Sequence, residues 1–198
     1  MYNVCVIALF YDLDPGSSDG VGTLASFNNP VAMAIDQDRQ QLYISDFNNN
    51  LVRKVDIYSN ETTTVAYNIS SPMGIAVDVL ANPPCVYVTS FTRHAIYKIS
   101  MTSGGGLPVW SVFAGSPGNA GYVDGNLLGA RFMNPLGLAL DYFHGVMIVG
   151  DSFYSQSSRV SNGNRVYTTS YQYSLRKISI SLANVTTLAG KSGKLYEL

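Results

Sequence analysis

Short apolar segments separated by Asp, Asn, Gly and Ser run along most of the chain, and they recur. Pro30-Val-Ala-Met-Ala-Ile-Asp36 returns as Pro72-Met-Gly-Ile-Ala-Val-Asp78 and again as Pro135-Leu-Gly-Leu-Ala-Leu-Asp141. The starts lie 42 and then 63 residues apart. Each copy is followed by a second segment (Leu42-Tyr-Ile-Ser-Asp46, Val86-Tyr-Val-Thr-Ser90, Met147-Ile-Val-Gly-Asp151). A third follows (Leu51-Val-Arg-Lys-Val55, Ala95-Ile-Tyr-Lys-Ile99, Leu175-Arg-Lys-Ile178), and then a fourth (Thr63-Thr-Val-Ala66, Ser111-Val-Phe-Ala-Gly115, Thr186-Thr-Leu-Ala-Gly190). Segments this short, rich in β-branched and aromatic residues and bounded by turn formers, predict strands, four to a unit. Self-similarity at this period predicts a radial repeat of four-stranded blades. The small residues Ala34, Ala76 and Ala139 suit the first strand to a crowded inner edge. Arg53, Lys54, Lys98, Arg176 and Lys177 mark the third as an outer, solvated strand.

A linker repeats as well. Asp19-Gly-Val-Gly-Thr-Leu-Ala-Ser-Phe-Asn-Asn-Pro30 matches Asp124-Gly-Asn-Leu-Leu-Gly-Ala-Arg-Phe-Met-Asn-Pro135 at Asp, Gly, Ala, Phe, Asn and Pro. Asp-Gly supplies a tight turn, and the Ala and Phe are expected to plug the seam between blades. The second unit lacks this linker and passes from Ala66 to Pro72 directly.

Taken together, these motifs resemble the NHL repeat family of β-propellers. Its repeat runs through a T-L-A-G strand, a D-G-x-G-x-x-A-x-F-x-x-P linker, then G-I-A-V-D, L-Y-V-A-D and N-x-x-I-R-K-I. Asp19-Gly-Val-Gly, Phe27, Pro30, Asp36, Leu42-Tyr-Ile-Ser-Asp46, Asn49 and Val52-Arg-Lys-Val55 match it, and the resemblance covers about residues 4–190. The second copy departs with Ser90 in place of Asp and Tyr97 in place of Arg. The third carries 18 extra residues between Asp151 and Arg176. The resemblance implies an all-β fold: an incomplete propeller over residues 1–198, with blades at 31–66, 73–115 and 136–190. Segment 4–10 is expected to be the outer strand of a preceding blade, in preference to a signal peptide, because it has no basic n-region. Propellers close with about four to eight blades. The chain is therefore expected to be part of a longer protein or half of an assembly, with open blade flanks that self-associate.

Composition narrows the chemistry. Charged residues are 13% and the net charge is −1, which excludes a disordered charged tail and disfavours a nucleic-acid binder working by bulk electrostatics. That near-neutral average hides an asymmetry: residues 1–78 hold nine acids and three bases, residues 79–198 four acids and nine bases. No run of about 18 apolar residues is present. Two cysteines, Cys5 and Cys85, make no disulfide framework, and their places in different blades disfavour a bridge.

No catalytic constellation stands out. Asp36, Asp78 and Asp141 read as turn caps rather than a metal ring, and Asp46 with Asn49, and Asp151, as anchors of the second turn. The recurrence of Arg53, Lys54, Arg176 and Lys177 reads as a solvated face. His94 and His144 lie on non-equivalent turns, and zinc needs three or four ligands. No metal site and no cofactor are expected. Family resemblance also reaches lyases with a histidine-rich zinc centre and animal RNA binders. Two histidines do not support the first, and near-neutral charge weighs against the second. Three glycosylation acceptor patterns, at Asn60, Asn68 and Asn184, are no more than this Asn, Ser and Thr content yields by chance.

The most informative local feature is the insertion 154–173, a Tyr/Ser/Asn/Gly loop with Arg joining the second and third strands of the last blade. It should rise on the same face as the linker 116–134. That composition suits adaptable recognition; the alternative is an irregular excursion without function or a small hairpin. The expected contact residues are Tyr122, Asp124, Arg159, Arg165, Tyr167 and Tyr171, and the expected role is a noncatalytic module that binds a protein, peptide or glycan. The alternatives are a metal-dependent lyase or hydrolase completed by further blades, and an RNA-binding domain. Low charge and polar loops lean toward an extracellular or cell-surface protein.

Overall fold

In a computed structural model, the protein is described over residues 15–102, 106–161 and 164–190, with backbone only at 154–157, 159–161 and 164–171. The expected strand 4–10 lies outside the described residues. Among the described residues, fourteen strands form three antiparallel sheets, and a 3-10 turn lies at Gly22–Leu24. The first sheet holds β1 (Gly20–Val21), β2 (Pro30–Asp36), β3 (Gln41–Asp46), β4 (Leu51–Asp56) and β5 (Glu61–Ala66), in the order β1-β5-β4-β3-β2. The second holds β6 (Pro72–Asp78), β7 (Cys85–Ser90), β8 (Ala95–Ser100) and β9 (Val109–Gly115) in sequence order. The third holds β10 (Gly125–Asn126), β11 (Pro135–Asp141), β12 (Val146–Ser161), β13 (Asn164–Ser179) and β14 (Asn184–Gly190), ordered β10-β14-β13-β12-β11.

The three sheets are copies in register. Val52 pairs with Ser45 and Ala66, Ile96 with Thr89 and Ala114, and Leu175 with Gly150 and Ala189. The ladder shifts one residue later in each, at Val52/Arg53, Ile96/Tyr97 and Leu175/Arg176. A bulge at one place in every sheet gives each blade the same added twist.

Period-2 alternation gives every blade two apolar flanks, and successive blades bury them against each other. Tyr43, Val52, Val65 and Ala66 of the first sheet pack with Ile75, Val77, Val86, Val88, Tyr97 and Ile99 of the second. Cys85, Tyr87, Ile96 and Ala114 of the second pack with Met147, Val149, Ile178 and Val185 of the third. Cys85 is buried and free. The first strands β2, β6 and β11 lie side by side, so they form the inner edge. A Cβ on Gly74 would stand 2.3 Å from the Leu136 carbonyl oxygen, so β6 meets β11 backbone to backbone and only glycine fits. Thr89 ties the same seam by donating from Oγ1 to the Leu136 carbonyl at 2.7 Å.

The short strands β1 and β10 come from the repeated linker. Each pairs along the last strand of the blade that follows it in sequence, Gly20 opposite Thr62 and Gly125 opposite Val185. The first and third sheets therefore have five strands where the repeat predicted four.

Candidate functional site

The linker is fastened by an ion cluster that corrects the reading of the third strand as solvated. Arg53 and Arg176 are fully buried. Arg53 Nη1 donates to Asp46 Oδ2 at 3.1 Å and to the Ser26 carbonyl at 2.9 Å, while Nη2 donates to Asp19 Oδ1 at 2.8 Å and to the Ser18 carbonyl. Arg176 repeats this with Asp151, the Arg131 carbonyl, Asp124 and the Val123 carbonyl. Phe27 and Phe132 lie over the two guanidinium groups, at 5.0 and 5.2 Å. The planar fork of Arg lets one side chain reach a strand carboxylate and a linker carboxylate together. Lys54 and Lys177, one position along on the alternate face, are half-buried.

The second blade lacks all of this at once. Ser90 stands at the Asp46 position, Tyr97 at Arg53 and Val112 opposite Tyr97 where Arg53 faces Thr64. Tyr97 packs edge-on against Trp110 instead, with ring centroids 5.5 Å apart. The departures at Ser90 and Tyr97 thus go together with the missing linker.

Asp124, expected to contact a ligand, is the linker half of this clasp. Besides Arg176, it accepts from the Thr187 amide at 2.9 Å and the Thr187 hydroxyl at 3.0 Å. Burial works against its charge, yet these hydrogen bonds and the Arg176 charge outweigh it and hold Asp124 below the ordinary carboxylate range. Asp19 is lowered for the same reasons through Thr64 and Arg53. Asp151, in contrast, is raised by its burial, against the pull of the Met133 and Asn134 amides and Arg176. Tyr122 is half-buried, and burial and the Asp151 charge push its phenol upward.

The turn aspartates behave as the sequence suggests. Asp36 accepts from the Arg39 amide, Asp78 from the Leu80 amide and Asp141 from the His144 amide, each at 3.1 Å. His144 adds an exposed contact to Asp141 at 2.6 Å, and His94 is tied through Nδ1 to the Met133 carbonyl. Among the described residues, no three His, Cys, Asp or Glu side chains converge as a metal would require. No helix among them is long and apolar enough to cross a membrane.

The insertion continues β12 and β13, each 16 residues long, into an antiparallel ribbon, paired without a break from Ser152–Tyr173 to Ser161–Asn164. Register sorts the expected contact residues. Arg165, Tyr167 and Tyr171 sit opposite Val160, Ser158 and Tyr154, so they share one row of the ribbon. That row runs on into Tyr173 and Leu175, which are 65% and 45% exposed. Arg159 sits opposite Val166 and falls in the other row. The side chains of these four residues lie outside the described ones. Tyr122 and Asp124 are brought together by the clasp instead.

No protein-family model matches the chain, and no curated protein matches it. Solved structures do. A structural-genomics protein of unknown function from Bacteroides thetaiotaomicron aligns at TM-score 0.60 and 22% identity, over 83% of this chain and 36% of its own. An auxiliary nutrient binding protein from Bacteroides ovatus aligns at TM-score 0.52 and 14% identity, over 98% of this chain and 49% of its own. The chain thus spans between about a third and a half of these structures. At these identities the likeness is one of fold: the chain is an all-β, propeller-like protein of three antiparallel sheets.

Proposed function

We propose that the chain is a noncatalytic binding module, three blades of an NHL-type propeller, that recognises a protein, peptide or glycan through the ribbon of β12 and β13. One observation carries this reading. The ribbon extends ten residue pairs beyond Asp151–Ser174, the position at which the first blade turns directly from Asp46 to Leu51. It places Arg165, Tyr167 and Tyr171 in one row that meets the exposed Tyr173. Aromatic side chains with few rotatable bonds, interspersed with Ser and Thr, give contact area at low entropic cost. The neighbour named for nutrient binding agrees with a binding role. Extracellular or cell-surface display suits such a module.

The contact set is narrowed to Arg165, Tyr167 and Tyr171. Asp124 and Tyr122 belong with the clasp, and Arg159 serves the opposite row. A glycan array and a displayed peptide library, probed with the chain and with an Arg165→Ala, Tyr167→Ala, Tyr171→Ala variant, test the reading. Specific hits lost in the variant at unchanged melting temperature support it. An empty array and library, or hits retained by the variant, overturn it.

A further inference from the structure

We infer that the outer edge of β9 is a docking site for an extended peptide segment of a partner protein, which pairs there as an added strand and sets an apolar side chain where the linkers carry Asp.

The other two sheets show what this edge takes. β1 pairs antiparallel along β5 and β10 along β14 at one register, with Gly20 opposite Thr62 and Gly125 opposite Val185. On their inner side Thr62 faces Val55 and Val185 faces Ile178. The residue of β9 at the same place is Trp110, which faces Ile99. Among the described residues no strand pairs with β9 on its far side, so it ends its sheet. The linker that covers an edge precedes its blade in sequence, and the second blade has none, since the chain passes from Ala66 to Pro72 directly.

The place closed in two sheets is open in this one. Thr62 is 4% exposed and Val185 is 0%, whereas Trp110 is 38% exposed and Val109 beside it 67%. The backbone is open as well. The Thr64 and Thr187 amides point away from their sheets and donate to Asp19 and Asp124. Val112 holds the Thr64 position, so its N–H points outward too, with no linker carboxylate to accept from it. Outward groups alternate along a strand, which turns Trp110 the same way. Native edges are blunted by charge, proline, bulges or a cover. Here Val109-Trp-Ser-Val112 holds unbroken register with β8 and carries neither a charge nor a proline.

Charge complementarity selects the occupant. In the first and third sheets an Arg and a Thr receive the linker Asp. In the second, Tyr97 and Val112 stand at those places, with Trp110 edge-on to Tyr97. A carboxylate brought there would give up water without gaining a cation. An apolar side chain would cover Tyr97, Trp110 and Val112. A row of free backbone groups matches another backbone, which makes the occupant a peptide: main-chain bonds supply affinity and the adjoining side chains supply selectivity. This edge belongs to the second blade and the ribbon to the third, so the two binding readings are independent.

A displayed library of random dodecapeptides, selected on the whole chain, tests this. Trp110→Lys puts a charge on the edge at an exposed position. Val112→Pro removes an outward N–H and spares the ladder to β8. Circular dichroism melts show whether each variant is folded. Selected peptides are expected to be apolar, β-prone and poor in Asp and Glu. They are expected to bind the Arg165→Ala, Tyr167→Ala, Tyr171→Ala variant as well as the parent, and to lose at least about tenfold in affinity for each folded edge variant, as removal of an interface anchor does. An empty selection overturns the inference, and so do peptides indifferent to the folded edge variants. Sedimentation equilibrium reads the remaining occupant: a dimer dissolved by the edge variants would mean that a second copy, not a partner peptide, pairs with β9, and overturns it too.

Discussion

Arg53 and Asp46 meet at 3.1 Å, with both side chains fully inaccessible to water. Removing one member of such a pair strands the other in low dielectric. Arg53→Ala is therefore expected to cost about 3–5 kcal/mol. The structure also supplies the control. The second blade holds Ser90, Tyr97 and Val112 at the corresponding positions, burying Ser90 and Tyr97 without ions and leaving Val112 half-buried beside them. Asp46→Ser with Arg53→Tyr is expected to recover more than half of that loss, because no fully buried charge is left unpaired and Asp19, which also loses Arg53, is about half exposed. Urea denaturation of the single and double variants measures both.

Strong acid should loosen the linker. Asp19 and Asp124 lie below their ordinary 3.8, so their contribution is complete above that value and is lost as pH falls through their folded pKa. Asp151 is raised and works the other way: its ionisation in the folded state costs stability as pH climbs from 3.8 toward its raised value. Asp124→Asn is thus expected to lower the melting temperature at pH 7 and to flatten its fall below pH 4. Asp124 is about half exposed, so screening keeps the change small. Thermal melts from pH 2.5 to 7 give the comparison.

Gly74 and Gly137 occupy one position in successive repeats and should respond differently to the same change. A Cβ at Gly74 meets the Leu136 oxygen at 2.3 Å and the Leu138 nitrogen at 2.7 Å, both backbone atoms of a paired strand that cannot move alone. Gly74→Ala is expected to cost about 3 kcal/mol. Gly137→Ala meets nothing within 4 Å and should leave the stability of the isolated chain within about 0.5 kcal/mol. Two denaturation curves decide it.

The blades could be read from sequence because the strands alternate strictly between two buried flanks, which writes the same pattern three times. The clasp escaped that reading because a strand pattern says which residues share a face, not what covers it. Arg53 next to Lys54 looks like a polar edge until the linker is seen folding back over it. A signal was present: Asp46, Arg53, Thr64 and the linker Asp19 all lose their counterparts together in the second unit, and residues that vanish together act together. The ribbon was open in the sequence only as the small hairpin set against a recognition loop, for another reason. Residues 154–173 lack an apolar face, so period-2 burial gave no sign of strands, and the pairing rests on the ladder continued from β12 and β13.

The ribbon should therefore be separable from the blades. Replacing residues 152–173 with the Phe-Asn-Asn-Asn turn of residues 47–50 joins Asp151 to Ser174 as Asp46 is joined to Leu51. The first backbone bond of that turn is already matched, since the Ser152 amide donates to the Asn134 carbonyl as the Phe47 amide does to that of Asn29. Asp151 would keep Arg176 and the Met133 and Asn134 amides, so the clasp survives the exchange. The shortened chain is expected to melt within about 4 °C of the original, equivalent to about 1 kcal/mol at this size, while losing the array and library hits of the full ribbon. Calorimetry paired with the same binding screen checks it. A large fall in melting temperature would mean that the ribbon is part of the blade's own packing, and its row of tyrosines would then need no ligand to explain it.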